Sequence, residues 1–310
     1  MKRYLTIDGG TTNTRLYLVE DRNIVAREKL GVGARDGKAA ITAALQQAIP
    51  NLLAENGIKE EALSAIIASG MITSENGLYP LEHLTAPAGI CELHDGMKRK
   101  IFPEICKTPF HFIPGVKILG KSAMETDMMR GEETELMGLS DRLDPDALYV
   151  LPGSHSKLIS VDGKGRITKS ETSLTGELLS AVLCGTILKD SVGFCEEEPD
   201  EKAIFAGYED CLKNGLNRTL FQVRIRKNLF GEKTSDCYGY LLGALLCGEV
   251  GQILRSGKET IVLGGQKQLR KATALLLKRY TKKEIVPLSD SVVESATAMG
   301  AVAIFEAEGR

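Results

Sequence analysis

The sequence predicts an α/β protein built from two similar domains. Its 310 residues exceed the length at which a single hydrophobic core usually stops growing. Strand-like and helix-like segments alternate along the chain, and a hairpin at the N-terminus has a counterpart of the same design near residue 150. We therefore expect one domain over residues 1–115 and a second over 116–290. A last helix, within residues 291–310, is expected to pack back on the first domain.

Composition and charge exclude several classes of protein. The chain has 39 basic and 41 acidic residues and a formal net charge of −2, so no bulk positive field attracts nucleic acid or an anionic membrane. Seven cysteines and four histidines are scattered without a CxxC pair, which argues against disulfides and zinc. The most apolar stretches, 178–188 and 237–247, are shorter than the roughly 20 residues of a membrane span. We expect a cytoplasmic protein with no nucleic-acid or membrane partner, and leave a homo-oligomer open.

Hydrophobic periodicity assigns most of the elements. Three strands at 3–7, 14–20 and 24–30 form an antiparallel meander, because short polar turns separate them. The region 70–114 is rich in loops and receives no assignment. The remaining predicted elements are helix 37–56 interrupted at Pro50, strand 65–68, helix 132–138, strands 147–151 and 157–162, helices near 177–190, 200–214, 235–256 and 267–280, strands 260–263 and 285–288, and a helix from Ser291 in which Ala296 and Gly300 suit close helix packing.

The turn after the first strand has the features of a phosphate-binding loop. Glycines let the backbone approach a phosphate closely, and hydroxyls with successive N–H groups form an anion-binding nest. Asp8 in this turn suits Mg²⁺, which proteins hold through one or two carboxylates while it bridges phosphate oxygens. The candidate nucleotide-binding residues here are Asp8, Gly9, Gly10, Thr11, Thr12, Asn13 and Arg15. An ordinary hairpin turn followed by a surface arginine is the alternative.

A second turn repeats this chemistry and adds a cation. It contains Gly153, Ser154, His155, Ser156 and Lys157. Two such turns facing each other would hold a polyphosphate from both sides. A later strand ends in Gly264, Gly265 and Gln266, which form either a third point of close approach or a packing turn. The absence of GxxxxGK[ST] and GxGxxG here argues against Walker-type and Rossmann sites, and the lack of a G-x-S-x-G elbow at His155 argues against a hydrolase.

Together these segments resemble the sugar kinase, actin and heat-shock ATPase superfamily, and more narrowly the 2-dehydro-3-deoxygalactonokinase family. The resemblance is carried by residues 8–15, 70–74, 87–88, 113–115, 127–134, 151–157 and 175–178. The segments Met129–Glu133 and Pro152–Lys157 are the most specific to the family. The chain departs from the family pattern at Leu78 and Leu158, where aromatic residues including tryptophan are expected, and this concerns the shape of the sugar pocket.

The resemblance implies two ribonuclease-H-like domains of the actin-like ATPase class with a nucleotide cleft between them. It implies ATP and Mg²⁺ as cofactors and a small sugar acid as substrate, with phosphorylation of the 6-hydroxyl of 2-dehydro-3-deoxy-D-galactonate in galactonate breakdown. Substrate contacts are implied at Met71, Ser74 and Pro87. Arg130 is a candidate partner for the substrate carboxylate, because a guanidinium fork matches a carboxylate. A surface salt bridge is the alternative for Arg130.

Three acids compete for the role of catalytic base. An alcohol is a poor nucleophile at neutral pH, so a carboxylate must accept its proton while the γ-phosphoryl is held in line. Sugar kinases of this fold place the base near a helix N-terminus before the second hairpin, where Asp127, Glu132 and Glu133 lie. Glu132 is slightly favoured, because it directly follows Gly131 at the predicted helix start, whereas Asp127 falls in the predicted loop. Solvated acids that complement the helix dipole are the alternative.

Two other functions fit the same features. One is a kinase for another carbohydrate or sugar acid, and the other is a nucleotide and sugar-acid sensor without catalysis. No DNA-binding segment is evident beside the predicted domains, which favours an enzyme. An activator ATPase would need clustered cysteines for an iron–sulfur centre, and the cysteines are dispersed.

Overall fold

The computed structural model describes residues 2–195 and 197–307. It divides the chain into two compact units, here unit 1 (residues 1–145, 161–170 and 290–310) and unit 2 (residues 146–160 and 171–289). The position between residues 115 and 116, predicted as a domain boundary, lies within unit 1, and the last helix belongs to unit 1 as well. The predicted limits of the two functional domains stay a prediction.

Strands and helices alternate as the periodicity indicates. The strands are β1 Arg3–Gly9, β2 Thr14–Glu20, β3 Asn23–Leu30, β4 Ala65–Gly70, β5 Leu84–Thr85, β6 Lys98–Phe102, β7 Cys106–Phe112, β8 Val116–Ile118, β9 Asp127–Met129, β10 Ala147–Leu151, β11 Ser156–Val161, β12 Ile167–Ser173, β13 Thr260–Leu263 and β14 Glu284–Pro287. The helices are α1 Gly37–Glu55, α2 Ile90–Gly96, α3 Glu132–Met137, α4 Thr175–Gly185, α5 Glu201–Asn214, α6 Leu216–Phe230, α7 Thr234–Arg255, α8 Lys267–Tyr280 and α9 Asp290–Phe305.

The large sheet of unit 1 has the strand order β3-β2-β1-β4-β7-β6. The first three strands form the predicted antiparallel meander, while β4 runs parallel to β1, and β7 runs parallel to β4. A parallel pair needs a long crossover, which α1 supplies between β3 and β4. The apolar faces of α1 and of the sheet share one core, to which Ile41, Leu45, Phe110 and Phe112 belong.

The five-stranded sheet lies mostly in unit 2. It repeats this arrangement with the order β12-β11-β10-β13-β14. β10 pairs antiparallel with β11 and parallel with β13, which in turn is parallel to β14. The repeat predicted from the two hairpins is therefore confirmed at the level of topology. Its crossover is longer and runs through α4 to α7, and α7 contributes Tyr240, Leu241 and Leu246 to the core of the unit.

Three local expectations are wrong. Helix α1 is not interrupted at Pro50, because this residue lies on the exposed face, where water can satisfy the freed carbonyl of Gln46. Helix α6 was not expected, since its buried positions Thr219 and Val223 do not form a clear apolar stripe. Asp127 begins strand β9, paired with Ile118, and does not lie in a loop.

Helix α9 holds α3 in place within unit 1. A Cβ on Gly138 would lie 2.0 Å from the carbonyl oxygen of Ala296, and one on Gly300 would lie 1.8 Å from that of Thr134. These glycines therefore let the two helices approach backbone to backbone. The close packing expected of Ala296 and Gly300 is confirmed, and it fixes the segment that carries Glu132 and Glu133.

Helix α7 is long and apolar enough to cross a membrane by length and composition alone, with a mean hydropathy of 1.3 over its most apolar window. The strongly apolar stretch 237–247 lies within this helix, which extends beyond it at both ends. However, 78% of that window is buried inside the protein, as in the core helix of a soluble protein. A cytoplasmic location stays a prediction.

Candidate functional site

The first turn joins β1 to β2 and is supported by its own backbone. The Gly10 N–H donates to the carbonyl of Asn13 at 2.8 Å. From the following loop, the Ala34 N–H donates to the Gly10 carbonyl at 3.0 Å, and the Arg35 N–H to the Thr11 carbonyl at 2.9 Å. Because these carbonyls are engaged from one side, the turn is held in a defined shape.

The threonines of this turn differ in what their hydroxyls do. Thr14 is buried and donates to the carbonyl of Val32 at 2.8 Å, so its hydroxyl serves the structure. Thr11 and Thr12 are exposed, and the Asn13 amide donates to the Thr12 hydroxyl at 2.8 Å. Exposed hydroxyls on a fixed turn are suited to an anionic ligand.

Asp8 ends the buried part of β1 opposite Arg15. Their ion pair joins Arg15 Nη1 to Asp8 Oδ2 at 3.0 Å. Burial raises the pKa of Asp8, Arg15 lowers it, and the nearby charge of Glu132 raises it again. Two carboxylates therefore lie close enough to repel each other, and a cation would relieve that repulsion.

This donor set fits Mg²⁺ bound together with phosphate. The described residues contain no group of three or more His, Cys, Asp or Glu side chains that could enclose a metal. Mg²⁺ does not need such a cage, because it keeps several waters and is held by one or two carboxylates and substrate phosphates. A Cβ on Gly70 would come 3.4 Å from Asp8 Oδ1, so a longer side chain at position 70 would crowd that oxygen.

Two left-handed glycines bring α3 to the end of β1. Gly70 has φ +80°, and a Cβ there would lie 2.4 Å from the carbonyl oxygen of Gly9. Gly131 has φ +118°, and its Cβ would lie 3.3 Å from the Cα of Gly70. Side chains other than glycine would push these segments apart. The structure therefore brings Asp8 and Glu132 together, although 124 positions separate them in sequence.

The three candidate bases have different surroundings. Glu133 is fully buried and accepts the Gly131 N–H on both carboxylate oxygens, at 2.9 and 2.8 Å. Burial and the charge of Glu132 raise the pKa of Glu133 to about 7. Glu132 is partly exposed, accepts the Arg130 N–H at 3.1 Å and lies near Asp8. Asp127 accepts the Met128 N–H at 2.8 Å on β9. Of the three, Glu132 combines partial exposure with proximity to Asp8.

Arg130 is fixed by protein groups. Its Nη1 donates to the carbonyl and the hydroxyl of Thr73, at 2.8 and 2.6 Å, and its Nη2 donates to the carbonyl of Leu81 at 2.9 Å. Burial lowers the pKa of Arg130, while Glu133 and Glu75 raise it. The guanidinium is thus a positioned charge, and binding of a substrate carboxylate to it stays a prediction.

The predicted substrate residues lie in the same part of unit 1. Met71 starts the single turn of 3₁₀ helix that follows β4, and its carbonyl accepts the Ser74 hydroxyl at 2.7 Å. Arg130 bonds to Thr73 within this turn, so Met71 and Ser74 belong to a segment that Arg130 holds. Pro87 is exposed and follows β5. Substrate contacts at Met71, Ser74 and Pro87 stay a prediction.

The second turn lies in unit 2 and is enclosed by the start of α4. A Cβ on Gly176 would lie 2.2 Å from the Gly153 carbonyl oxygen, and the Glu177 N–H donates to the carbonyl of Ser154 at 3.1 Å. His155 Nε2 lies 3.2 Å from Glu177 Oε1. His155 is therefore paired with an acid of α4.

Lys157 and Ser156 lie below this turn and are both buried. Lys157 is 4% exposed, and its Nζ donates to the Thr172 hydroxyl at 2.6 Å. Ser156 is fully buried and begins β11. Of the predicted residues of this turn, Gly153, Ser154 and His155 are accessible, while Ser156 and Lys157 support the turn.

The glycine pair after β13 packs on the second turn, as the packing-turn interpretation predicts, and its contact with a nucleotide stays a prediction. A Cβ on Gly265 would lie 2.2 Å from the carbonyl oxygen of Pro152, to which the Gln266 N–H donates at 2.6 Å. The Gln266 side chain accepts the Leu269 N–H at 2.8 Å and so caps α8. Its side chain therefore has a structural role, while its backbone lies at the turn.

A cavity of about 470 Å³ opens at the start of α8. Its apolar wall includes Ile204, Tyr238 and Leu242, and Lys267 and Gln268 line it near Gln266. The Tyr238 hydroxyl donates to Gln268 Oε1 at 2.8 Å. Pockets of this size, with an apolar wall and a few placed polar groups, are typical of small-molecule sites.

Sequence reasoning missed two groups at these turns. Glu249 lies on α7 and accepts the Thr175 hydroxyl at 2.6 Å under the second turn. An isolated acid in the apolar stretch of α7 was the available signal. Thr73 is the other, and no pattern in the sequence marked it as the partner of Arg130. The two leucines that replace expected aromatic residues, Leu78 and Leu158, are buried in the cores of their units, and neither contributes an exposed wall.

Two hydroxyl-bearing turns on sheets of the same topology, one of them beside carboxylates, define a phosphotransferase of the actin-like ATPase fold. The family model described as 2-keto-3-deoxy-galactonokinase matches residues 8–303. The chain belongs to this family, which confirms the predicted family, fold class and type of enzyme.

Curated relatives agree with the family. A 2-dehydro-3-deoxygalactonokinase of Escherichia coli (strain K12) is 28% identical over 254 residues, with 80% of this chain and 79% of the relative covered. A protein named "probable 2-dehydro-3-deoxygalactonokinase" from Rhizobium meliloti (strain 1021) is 26% identical over 269 residues, with coverage of 82% and 81%.

Solved structures support the fold. A protein from Sinorhizobium meliloti, described as a candidate 2-dehydro-3-deoxygalactonokinase, superposes with a TM-score of 0.77 at 24% identity, covering 98% of this chain and 99% of that one. Component A of the (R)-2-hydroxyglutaryl-CoA dehydratase from Acidaminococcus fermentans superposes with a TM-score of 0.55 at 14% identity and 98% and 97% coverage. At these identities the likeness concerns the fold alone.

Proposed function

We propose that this protein transfers the γ-phosphoryl group of ATP to the 6-hydroxyl of 2-dehydro-3-deoxygalactonate. The observation that carries the proposal is the convergence of Asp8, Glu132 and the exposed hydroxyls of the first turn at one end of the unit 1 sheet. Family membership and the names of the curated relatives support this substrate class. ATP is the donor that a kinase of this family uses.

Glu132 is proposed as the base, with Asp127 and Glu133 as the rivals. Its carboxylate is partly exposed and can accept a proton from a substrate hydroxyl. Both oxygens of Glu133 accept the Gly131 N–H. Asp127 lies on β9, which pairs with β8. Glu133 then acts by holding the segment that presents Glu132.

Asp8 is proposed to hold Mg²⁺ beside the first turn. When bound, the ion would supply positive charge to the phosphate oxygens. Arg15 forms an ion pair with Asp8, so it keeps this carboxylate oriented. Thr11 and Thr12 are proposed to contact phosphate, since both are exposed on the turn, while the N–H and carbonyl of Gly10 are engaged within the protein and hold its shape.

Unit 2 is proposed to bind the nucleotide through the second turn and the cavity at α8. Gly153, Ser154 and His155 present the turn, and the cavity beside Gln266 offers an apolar wall with polar groups at its edge. A purine base has this combination of apolar faces and polar edges. The proposal assigns the phosphates to the turn and the adenosine to the cavity.

The substrate carboxylate is proposed to meet the charge of Arg130. Because Thr73 and Leu81 already fix the guanidinium, little conformational entropy is lost on binding. Met71, Ser74 and Pro87 lie on the segments that would border the sugar. A neutral sugar would bring no anion to this half-buried cation, which disfavours it.

A coupled ADP-release assay over a panel of substrates tests the proposal. With Mg·ATP, we expect turnover of 2-dehydro-3-deoxygalactonate and almost none of glucose or glycerol. Its C4 epimer and other sugar acids belong in the panel, because they separate a kinase for a different sugar acid from the proposed one. Equal turnover of neutral sugars would refute the substrate assignment, and phosphorylation at a hydroxyl other than the 6-hydroxyl would refute the position.

A further inference from the structure

Glu249 is a buried acid for which the proposed phosphoryl transfer has no use. It is 2% exposed on α7, a helix that is otherwise mostly apolar along its buried face. Burial raises the pKa of Glu249, and the hydroxyls of Thr175 and Ser156 lower it. A buried acid destabilises a core unless it has partners, so its position calls for an explanation.

Two hydroxyl-bearing residues near Glu249 begin the elements next to the second turn. Thr175 is the first residue of α4, and its hydroxyl donates to Glu249 Oε2 at 2.6 Å. Ser156 is the first residue of β11, directly after His155. The Ser156 hydroxyl lies close enough to lower the pKa of Glu249, but neither Ser156 Oγ nor Glu249 Oε1 has a hydrogen-bond partner among the described residues. The carboxyl group thus lies near the start of β11, which follows the second turn, and near the start of α4.

These contacts set the distance between the turn and α4. Gly176 follows Thr175 and packs against the Gly153 carbonyl, and the Glu177 N–H bonds to the carbonyl of Ser154. One helical turn further along α7, Gln252 Oε1 accepts the Ser173 hydroxyl at 3.2 Å. Helix α7 therefore anchors the end of β12 and the start of α4, and α4 in turn contacts Gly153 and Ser154 of the turn.

We propose that Glu249 is a positioning residue that holds the second turn in the shape that binds nucleotide phosphates. The inference rests on the proposed function, in which Gly153, Ser154 and His155 contact those phosphates. Glu249 itself touches no ligand. It acts through Thr175 and the start of α4, so its loss should weaken nucleotide binding more than it slows the chemical step.

The test measures the Kd of Mg·ADP by calorimetry, with kcat and both KM values, for four variants. Glu249→Leu removes the acceptor, Glu249→Gln keeps an acceptor for Thr175, and Thr175→Val removes the donor. Thr219→Val is the matched control, because it removes another buried hydroxyl bond of unit 2, to the Gly215 carbonyl in α6. Thermal unfolding of each variant reports the purely structural effect.

We expect Glu249→Leu and Thr175→Val each to weaken nucleotide binding about tenfold, the size of one lost buried hydrogen bond. Glu249→Gln should stay within about threefold of the wild type. The sugar-acid KM and kcat at saturating ATP should change little. Should Glu249→Leu fail to fold, Thr175→Val and Glu249→Gln still test the same bond.

Nucleotide affinity in Glu249→Leu and Thr175→Val equal to that of Thr219→Val would overturn the inference, because Glu249 would then be only a core residue. Equal weakening by Glu249→Gln and Glu249→Leu would also overturn it, since the charge and not the bond would matter. Gly176→Ala, whose Cβ would meet the Gly153 carbonyl, displaces the turn directly. If Gly176→Ala also leaves nucleotide affinity unchanged, the proposed phosphate role of the turn fails.

Discussion

The two turns occupy equivalent places in the two sheets but differ in charge. In unit 1 the register pair Asp8 and Arg15 lies one position before the end of the first strand, whereas in unit 2 the strand ends at the pair Leu151 and Lys157. A cation follows both turns, but only the first turn is preceded by an acid. Only the turn of unit 1 therefore offers a carboxylate for the proposed metal, whereas the turn of unit 2 has the cation Lys157 and no acid before it.

Each unit also keeps one buried acid behind its turn. Glu133 in unit 1 accepts the Gly131 N–H, and Glu249 in unit 2 accepts the Thr175 hydroxyl. Both acids fix the start of a helix, and burial raises the pKa of both. We expect changes in unit 1 to affect kcat and changes in unit 2 to affect nucleotide affinity.

The largest effect is expected for the base. Glu132→Gln should lower kcat by about 10²–10⁴, the usual contribution of a general base, while ATP still binds. Glu133→Gln and Asp127→Asn, measured beside it by single-turnover phosphoryl transfer, should retain more activity. Glu135→Gln on the same helix is the control. If all of these keep near-wild-type rates, the base lies outside this segment. Unit 1 would then not differ from unit 2 by supplying the base from this segment.

Asp8→Asn should lower kcat by about 10²–10³, because it removes charge facing the phosphate and keeps the shape of the turn. The melting temperature should remain close to that of the wild type. A titration of Mg²⁺ at saturating ATP checks the metal role, with Asp95→Asn, an exposed acid of unit 1, as the control. A normal kcat at saturating Mg²⁺ would mean that the acid before the first turn has no role in the reaction.

Glu133 predicts a pH-dependent stability. Its pKa in the folded protein, about 7, exceeds the ordinary 4.5, so the folded state holds a proton that the unfolded state releases between these values. Its contribution to stability is therefore full below pH 4.5 and is lost as the pH rises to 7. Relative to Glu133→Gln, the wild type should lose on the order of 3 kcal/mol over this window.

Denaturant unfolding of both proteins at several pH values measures this difference. The exposed Glu61→Gln variant serves as the control and should show no such trend. A free-energy difference between wild type and Glu133→Gln that stays flat from pH 4.5 to 8 would mean that Glu133 titrates normally.

The smallest effect concerns the packing of α9 on α3. Gly300→Ala places a Cβ against the Thr134 carbonyl and should lower the free energy of unfolding by about 1–3 kcal/mol. Gly248→Ala on α7 meets no atom within 4 Å and should raise it by up to about 1 kcal/mol. Thermal unfolding of the pair tests the opposite signs. A neutral Gly300→Ala would show that α3 is not held by this contact.

Local patterns predicted the repeat and the turns because both depend on residues near each other in sequence. The meander at residues 3–30, strand β13 and the starts of α7 and α8 follow from apolar periodicity and short polar turns. The region 70–114 received no assignment because its sequence does not mark β6 and β7 clearly as strands. Their pairing is decided by a core that includes Phe102, Phe110 and Phe112. Tertiary packing overrides weak local preference in such segments.

The sequence by itself determined which residues could bind phosphate, since glycine and hydroxyl chemistry is written in the turns themselves. It also placed Asp127, Glu132 and Glu133 in one short segment. Only the tertiary structure distinguishes their surroundings, because proximity to Asp8 depends on Gly70 and Gly131, which allow two distant backbones to touch. It likewise assigned Arg130 to Thr73 and Glu249 to Thr175, pairs separated by 57 and 74 positions. The partner of a buried charge is set by what the fold brings within hydrogen-bond distance, and no local pattern encodes that.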